Sequence, residues 1–269
     1  MSRLTQKGAY APLSLFQTAT DLSLGTMTGA KFEASDGREF VIVQNAGTAL
    51  TSGVVVQGPA AIANTTSLSP ATTGTTGYSA SFPIAAAIGG LQIQIATGAT
   101  ALLASQFQGG YLNVVSGTGL GQTLKIANNT AASTTSACII TLEDAFTVAT
   151  DTTSRFTLTL NPYGSRFGTT FATNGVIISP ATTLTGTILG VTLYPIAATT
   201  STVAQFGLIQ TKGPVAVLGS STVAIGLDVG LPSGTAGAHL AYAVATGPKL
   251  GTTMIASASA AYNMVDLKL

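Results

Sequence analysis

One histidine and one cysteine stand in this 269-residue chain, His239 and Cys138, the side chains best suited to proton transfer or nucleophilic attack near neutral pH. His239 lies in GTAGAHLAYA with no second His or Cys at ligand spacing, so a metal site would have to recruit Asp or Glu from elsewhere. Cys138 lies in SACIITLE, with no His, Lys or Arg beside it to lower its pKa, and reads as a buried strand residue. A serine triad can be drawn from Ser233, His239 and Asp228 or Asp266, but serine is abundant and the chain has no G-x-S-x-G elbow. His239 is therefore expected to be structural or at the surface.

The acids give no better constellation. Glu143 and Asp144 adjoin at a strand end, where successive side chains point to opposite faces, which suits a solvated turn rather than a catalytic pair. Glu33, Asp36 and Glu39 flank Gly37 and Arg38 in EASDGRE, a hairpin turn on Asp-Gly with too few oxygen ligands for a calcium loop. Gly117-Thr118-Gly119-Leu120-Gly121 resembles a phosphate cradle, yet it leads into the strand pattern QTLKIAN instead of a helix N-terminus, so a tight turn is expected. The expectation is a chain without enzyme activity, metal, cofactor or small-molecule substrate.

The elements that would have to position such groups read as strands. REFVIVQ (38–44), SGVVVQG (52–58), GGLQIQIA (89–96), GYLNVV (110–115), QTLKIAN (122–128), ACIITLE (137–143) and SRFTLTL (154–160) alternate or run β-branched between turn residues. GTILGVTLYP (186–195) does the same. Further strands are expected at Leu208 to Gln210, Val215 to Leu218 and Val223 to Val229, with turns at Lys212-Gly213-Pro214 and Gly219-Ser220-Ser221. ATALLASQF (99–107) is the best short helix, and 255–264 is ambiguous. The fold class expected is mainly β, a sandwich or barrel of short antiparallel strands. Val41 to Gly47 and Gly207 to Gly213 echo one another, with Gln and Gly in identical places. Two strand-turn-strand units in one discontinuous body, 30–62 with 166–269, would follow. An inserted β domain is then expected at 89–165, a Thr/Ser/Ala-rich linker at 63–88 and an extended arm at 1–29.

Composition limits the partners. Charged residues are 7% of the chain, against about 25% in ordinary globular proteins, and ten basic side chains balance nine acidic ones. The surface must be covered by Thr, Ser, Asn, Gln, Gly and Ala, and weak self-repulsion favours permanent packing against other subunits. The ten cations are scattered, which argues against nucleic acid. No apolar run reaches the roughly 18 residues of a spanning helix, so no membrane is expected. Arg3 and Lys7 before GAYAPLSLF superficially resemble a secretory signal, but Pro12 and the early polar QTATD argue against one.

Several segments together carry a family likeness. DGREFVIVQNAGTALTSGVVV, GGYLNVVSGTGLGQTLKI, ITLEDAFTVATDTTSRFTLTLNPYG, FGLIQTKGPVAVLGSSTVAIGLDV, SGTAGA and the terminal YNMVDLKL resemble head decoration (cement) proteins of tailed bacteriophages. The resemblance implies a homo-oligomer, a trimer by preference. It would be assembled in the host cytoplasm, bind the outer capsid surface of the virion and brace contacts between major capsid proteins. The N-terminal segment is the expected capsid contact, with Arg3, Leu4, Lys7, Tyr10, Leu13, Leu15 and Phe16 as candidates. The alternatives are another virion part, such as a head fibre base or tail component, and a carbohydrate-binding adhesin domain. The latter is disfavoured by the absence of Trp.

Overall fold

The computed structural model describes residues 28–164, 174–200, 203–242, 247–256 and 261–269, with the strand backbones at 3–6 and 9–12. Among them every regular element is a strand. The chain divides into two units, one built on Met1–Ala60, Pro162–Arg166 and Phe171–Leu269, the other on Ala61–Asn161. The first opens with β1 (Arg3–Gln6), β2 (Ala9–Pro12), β3 (Lys31–Ala34), β4 (Glu39–Gln44) and β5 (Val55–Gln57). The second contributes β6 (Gln92–Ala96), β7 (Tyr111–Ser116), β8 (Thr123–Asn129), β9 (Ala137–Leu142) and β10 (Arg155–Thr159). The chain then returns with β11 (Ile177–Ile178), β12 (Ile188–Thr192), β13 (Phe206–Leu218), β14 (Asp228–Gly230), β15 (Leu240–Ala241), β16 (Lys249–Ile255) and β17 (Tyr262–Lys268). The mainly β fold read from alternation is what forms, with antiparallel pairing between strands throughout.

In the second unit the sheet order is β10-β7-β8-β9-β6. Its strands bury every other residue: Leu124 and Ile126, Cys138, Ile140 and Leu142, and Phe156 and Leu158 point into one core, with Phe107 and Phe146. The two edges of this sheet are joined by the segment read as a linker. Leu68 exchanges backbone hydrogen bonds with Phe156 on one edge, at 2.7 and 2.9 Å. On the other edge Ala71 N–H donates to Gln94 O at 3.0 Å and Ala96 N–H to Ser69 O at 2.9 Å. A short stave at 68–71 therefore closes the sheet into a small barrel and satisfies both edges. Leu68, Ala71 and Ala86 are buried, so 63–88 belongs to this unit and links nothing. The helix expected at 99–107 is also absent: the segment is a chain of turns with Ser105 at φ +59°, because Leu102 pairs with Ala132 and Phe107 fills the core.

The first unit is organised by β13, a 13-residue strand where two strands and a turn were expected. Residues 206–212 pair with β4, and Gln210 and Ile209 pair with β12 on the other side. From Lys212 onward β17 replaces β12, from Lys212↔Lys268 to Leu218↔Tyr262. Lys212-Gly213-Pro214 is thus the point of partner exchange and not a turn; Gly213 at φ +84° and a register shift between Gln210 and Lys212 absorb the change of direction. Pro214 lacks an N–H where β4 has already left the ladder. The sheet runs β15-β14-β16-β17-β13-β4-β3-β1-β2, with β12, β5 and β11 branching from β13. The two echo segments lie side by side in it, Phe206↔Gln44 through Gln210↔Phe40, and both glutamines are buried. The strand expected over 223–229 shrinks to Asp228–Gly230, since Gly226 at φ +82° turns the chain first. Of 1–29, residues 3–6 and 9–12 form a hairpin whose β1 pairs with β3, so that part is sheet rather than extended arm.

Candidate functional site

The residues with chemical potential are scattered and individually engaged. His239 is fully buried, and Asn263 Nδ2 lies 3.0 Å from its Nε2. Burial pushes the ring's pKa down to about 4, with the Leu240 backbone pulling weakly the other way. Ser233 Oγ donates to Thr235 O at 2.7 Å, Asp228 pairs with Lys249 at 2.8 Å and Asp266 with Lys268 at 3.5 Å, so the paper triad is not assembled. Cys138 is buried on β9 as expected, its thiol pushed up to about 11 by desolvation.

The acid clusters are turn furniture. Glu143 takes Lys125 Nζ at 2.7 Å while Asp144 accepts the Lys125 backbone N–H at 3.1 Å. Asp36 holds Arg38 at 2.7 Å across the Asp-Gly turn between β3 and β4. The glycine-rich stretch 117–121 is the turn between β7 and β8, and it faces a carboxylate: Thr118 Oγ1 donates to Asp151 Oδ2 at 2.5 Å. That bond and those from Thr153 hold Asp151 down to about 2. A permanently ionised acid at the mouth of the turn repels phosphate. Among the described residues no group of three or more His, Cys, Asp and Glu could hold a metal ion.

What the structure does assemble is an apolar sheet face on the first unit. On β17, Asn263, Val265 and Leu267 point inward, while Tyr262 and Met264 point to solvent. Met264 lies between Ala216 on β13 and Ile255 on β16, and Tyr262 lies opposite Leu218. The register shift between Thr253 and Ile255 turns Met254 outward as well. Pro214 extends the face along β13 opposite Asp266. A groove of about 550 Å³ borders it, lined by Arg38, Ser52, Gly53, Pro214, Ala216 and Tyr262 among others, and Tyr262 Oη donates to Ser52 O at 3.2 Å. Gln210 Nε2 braces its wall by donating to Lys212 O at 2.9 Å and Pro214 O at 3.0 Å.

Sequence reasoning missed this face. The signal in YNMVDLKL was partial, since the outward parity starts with Tyr262 and Met264 but ends with the charged Asp266 and Lys268. Of the expected contact residues, Arg3 and Leu4 lie on β1 and Tyr10 on β2; Lys7, Leu13, Leu15 and Phe16 lie outside the described residues. No family profile, curated protein or solved structure matches the chain.

Proposed function

We propose that the chain is a structural protein of a virion, a decoration protein on the outer surface of a phage head that braces major capsid proteins. The observation that carries this reading is the open edge that the N-terminal segment gives the first unit: β2 ends the sheet order, and among the described residues no strand pairs with its outer side. An open edge adds an extended segment of another chain through backbone hydrogen bonds, a mode that needs no charged or chemically reactive side chains. The scarcity of charge supports the same reading. Five ion pairs among the described residues use Arg38, Lys125, Lys212, Lys249 and Lys268, leaving little net field to recruit a charged ligand. The sequence resemblance names the shell as a tailed-phage head, with Arg3, Leu4, Lys7, Tyr10, Leu13, Leu15 and Phe16 on the contacting segment.

The test is occupancy of purified heads, imaged with and without the protein. Added surface density on heads is the expected result; density confined to the tail would transfer the chain to the tail structure. Deleting residues 2–29 is expected to abolish head occupancy, and undiminished occupancy would remove the N-terminal segment from the contact.

A further inference from the structure

We infer that the open edge of β2 receives one extended segment of a different chain through the backbone N–H and C=O of Tyr10, and that Pro12 limits the pairing beyond it. The inference rests on reading the N-terminal segment as the contacting part and names the groups that make the contact.

The register of the sheet fixes which backbone groups face outward. Ile42 N–H donates to Ala30 O at 3.2 Å and Ala34 N–H to Arg38 O at 2.8 Å, so Ala30 and Ala34 direct their polar groups toward β4. Successive residues of a strand direct theirs to opposite sides, so Glu33 faces β1. Glu33 lies opposite Thr5, which therefore exchanges its bonds with β3 and leaves Leu4 and Gln6 facing β2. Their partners are Ala11 and Ala9. With those two bonded to β1, Tyr10 and Pro12 turn their groups to the open side.

Proline has no N–H, so the open side of β2 offers one donor, on Tyr10, and two acceptors, the carbonyls of Tyr10 and Pro12. No bond inside the sheet is lost, because the missing donor falls on the outer side of an edge strand. A partner residue opposite Tyr10 forms a full two-bond pair. The partner residue opposite Pro12 donates to its carbonyl and receives nothing back.

That shortage selects the occupant. Two β2 strands laid edge to edge bring two Pro12 residues and leave a carbonyl unpaired at each, whereas a foreign strand without proline meets the deficit once. The bonds run from backbone to backbone, so the partner is defined by an extended conformation and by a free N–H facing the Pro12 carbonyl, with no demand for charge.

Residue-resolved hydrogen exchange on the full chain and its binding to purified heads test this. In the free chain the Tyr10 amide is expected to exchange at least about tenfold faster than those of Ala9 and Ala11, and to slow by a similar factor on heads. Tyr10→Pro removes the outward donor without removing a bond to β1. It is expected to raise the dissociation constant for heads at least about tenfold, with an unchanged thermal transition. Pro12→Val adds an outward donor and is expected to lower that constant about fivefold. A Tyr10 amide already protected in the free chain, or still exposed on occupied heads, would overturn the inference, and these two readings decide it if Tyr10→Pro fails to fold. Heads bound alike by wild type and Tyr10→Pro overturn the edge assignment and leave the decoration reading. A wild type that leaves heads bare, while Tyr10 exchanges fast and Ala9 and Ala11 slowly, overturns the decoration reading and leaves the edge assignment.

Discussion

At the scale of single residues, His239 makes the sharpest prediction. Its imidazole takes up a proton near 6.5 when exposed in the unfolded chain and near 4 when folded. Between those values the unfolded state binds more protons, so stability falls as pH drops from about 6.5 to 4 and is level above that window. The separation corresponds to about 3 kcal/mol at the acid end. The carboxyls of Asp36, Asp151 and Asp228 are all held below the ordinary value of 3.8, so their contribution is lost as pH falls below about 5 and overlaps the acid end of the histidine window. Urea midpoints measured across pH should therefore slope between about 5 and 6.5 in the wild type and flatten over that range in His239→Gln, the carboxylates sloping both below it. A wild-type profile that is already flat would show that the ring is not held neutral by burial. The sequence left the one histidine either structural or at the surface; its burial against Asn263 of the last strand was not legible, because 24 residues separate the two.

At the scale of elements, local pattern located β4 and β7 to β10 closely: β7 to β10 alternate over one buried face, and β4 is a β-branched apolar run buried on both. The misreadings all arise where tertiary pairing overrides a local signal. Lys212-Gly213-Pro214 has turn chemistry, yet β4, β12 and β17 hydrogen-bond across both sides of it, and a strand that changes partners leaves no mark in its own sequence. The stave at 68–71 is too short to show a period, and the apolar face stayed invisible because alternation was read for one buried side only. Two glycines of these strands test the pairing. A Cβ on Gly251 would sit 2.0 Å from the Asp266 carbonyl oxygen, so β16 and β17 would have to separate. On Gly213 a Cβ would meet Arg38, its Cγ at 2.9 Å and its backbone Cα no nearer than 3.5 Å, and the positive φ adds to the cost. Chemical denaturation should give a loss of about 3 kcal/mol for Gly251→Ala and about 1 kcal/mol for Gly213→Ala. The reverse order would mean that the β16–β17 register is wrong.

At the scale of the whole molecule, the second unit is an insertion whose two connections leave and re-enter the first unit at neighbouring points. A Cβ on Gly58 would lie 3.0 Å from the Pro162 carbonyl oxygen, so the chain before β6 and the chain after β10 pass side by side. Inserted domains are tolerated where the host's ends already meet, and the converse follows: the host should close without the insert. The barrel has its own sealed core of Ile93, Phe107, Leu112, Ile126, Ile140 and Phe156, and its edges are both satisfied by 68–71. Residues 61–161 expressed alone should therefore unfold in one cooperative transition. A chain with 61–161 replaced by about three glycines should retain a transition of its own, because the cores around Val55, Val191 and Val265, and around Val41, Leu50 and Ile209, contain no residue of the insert.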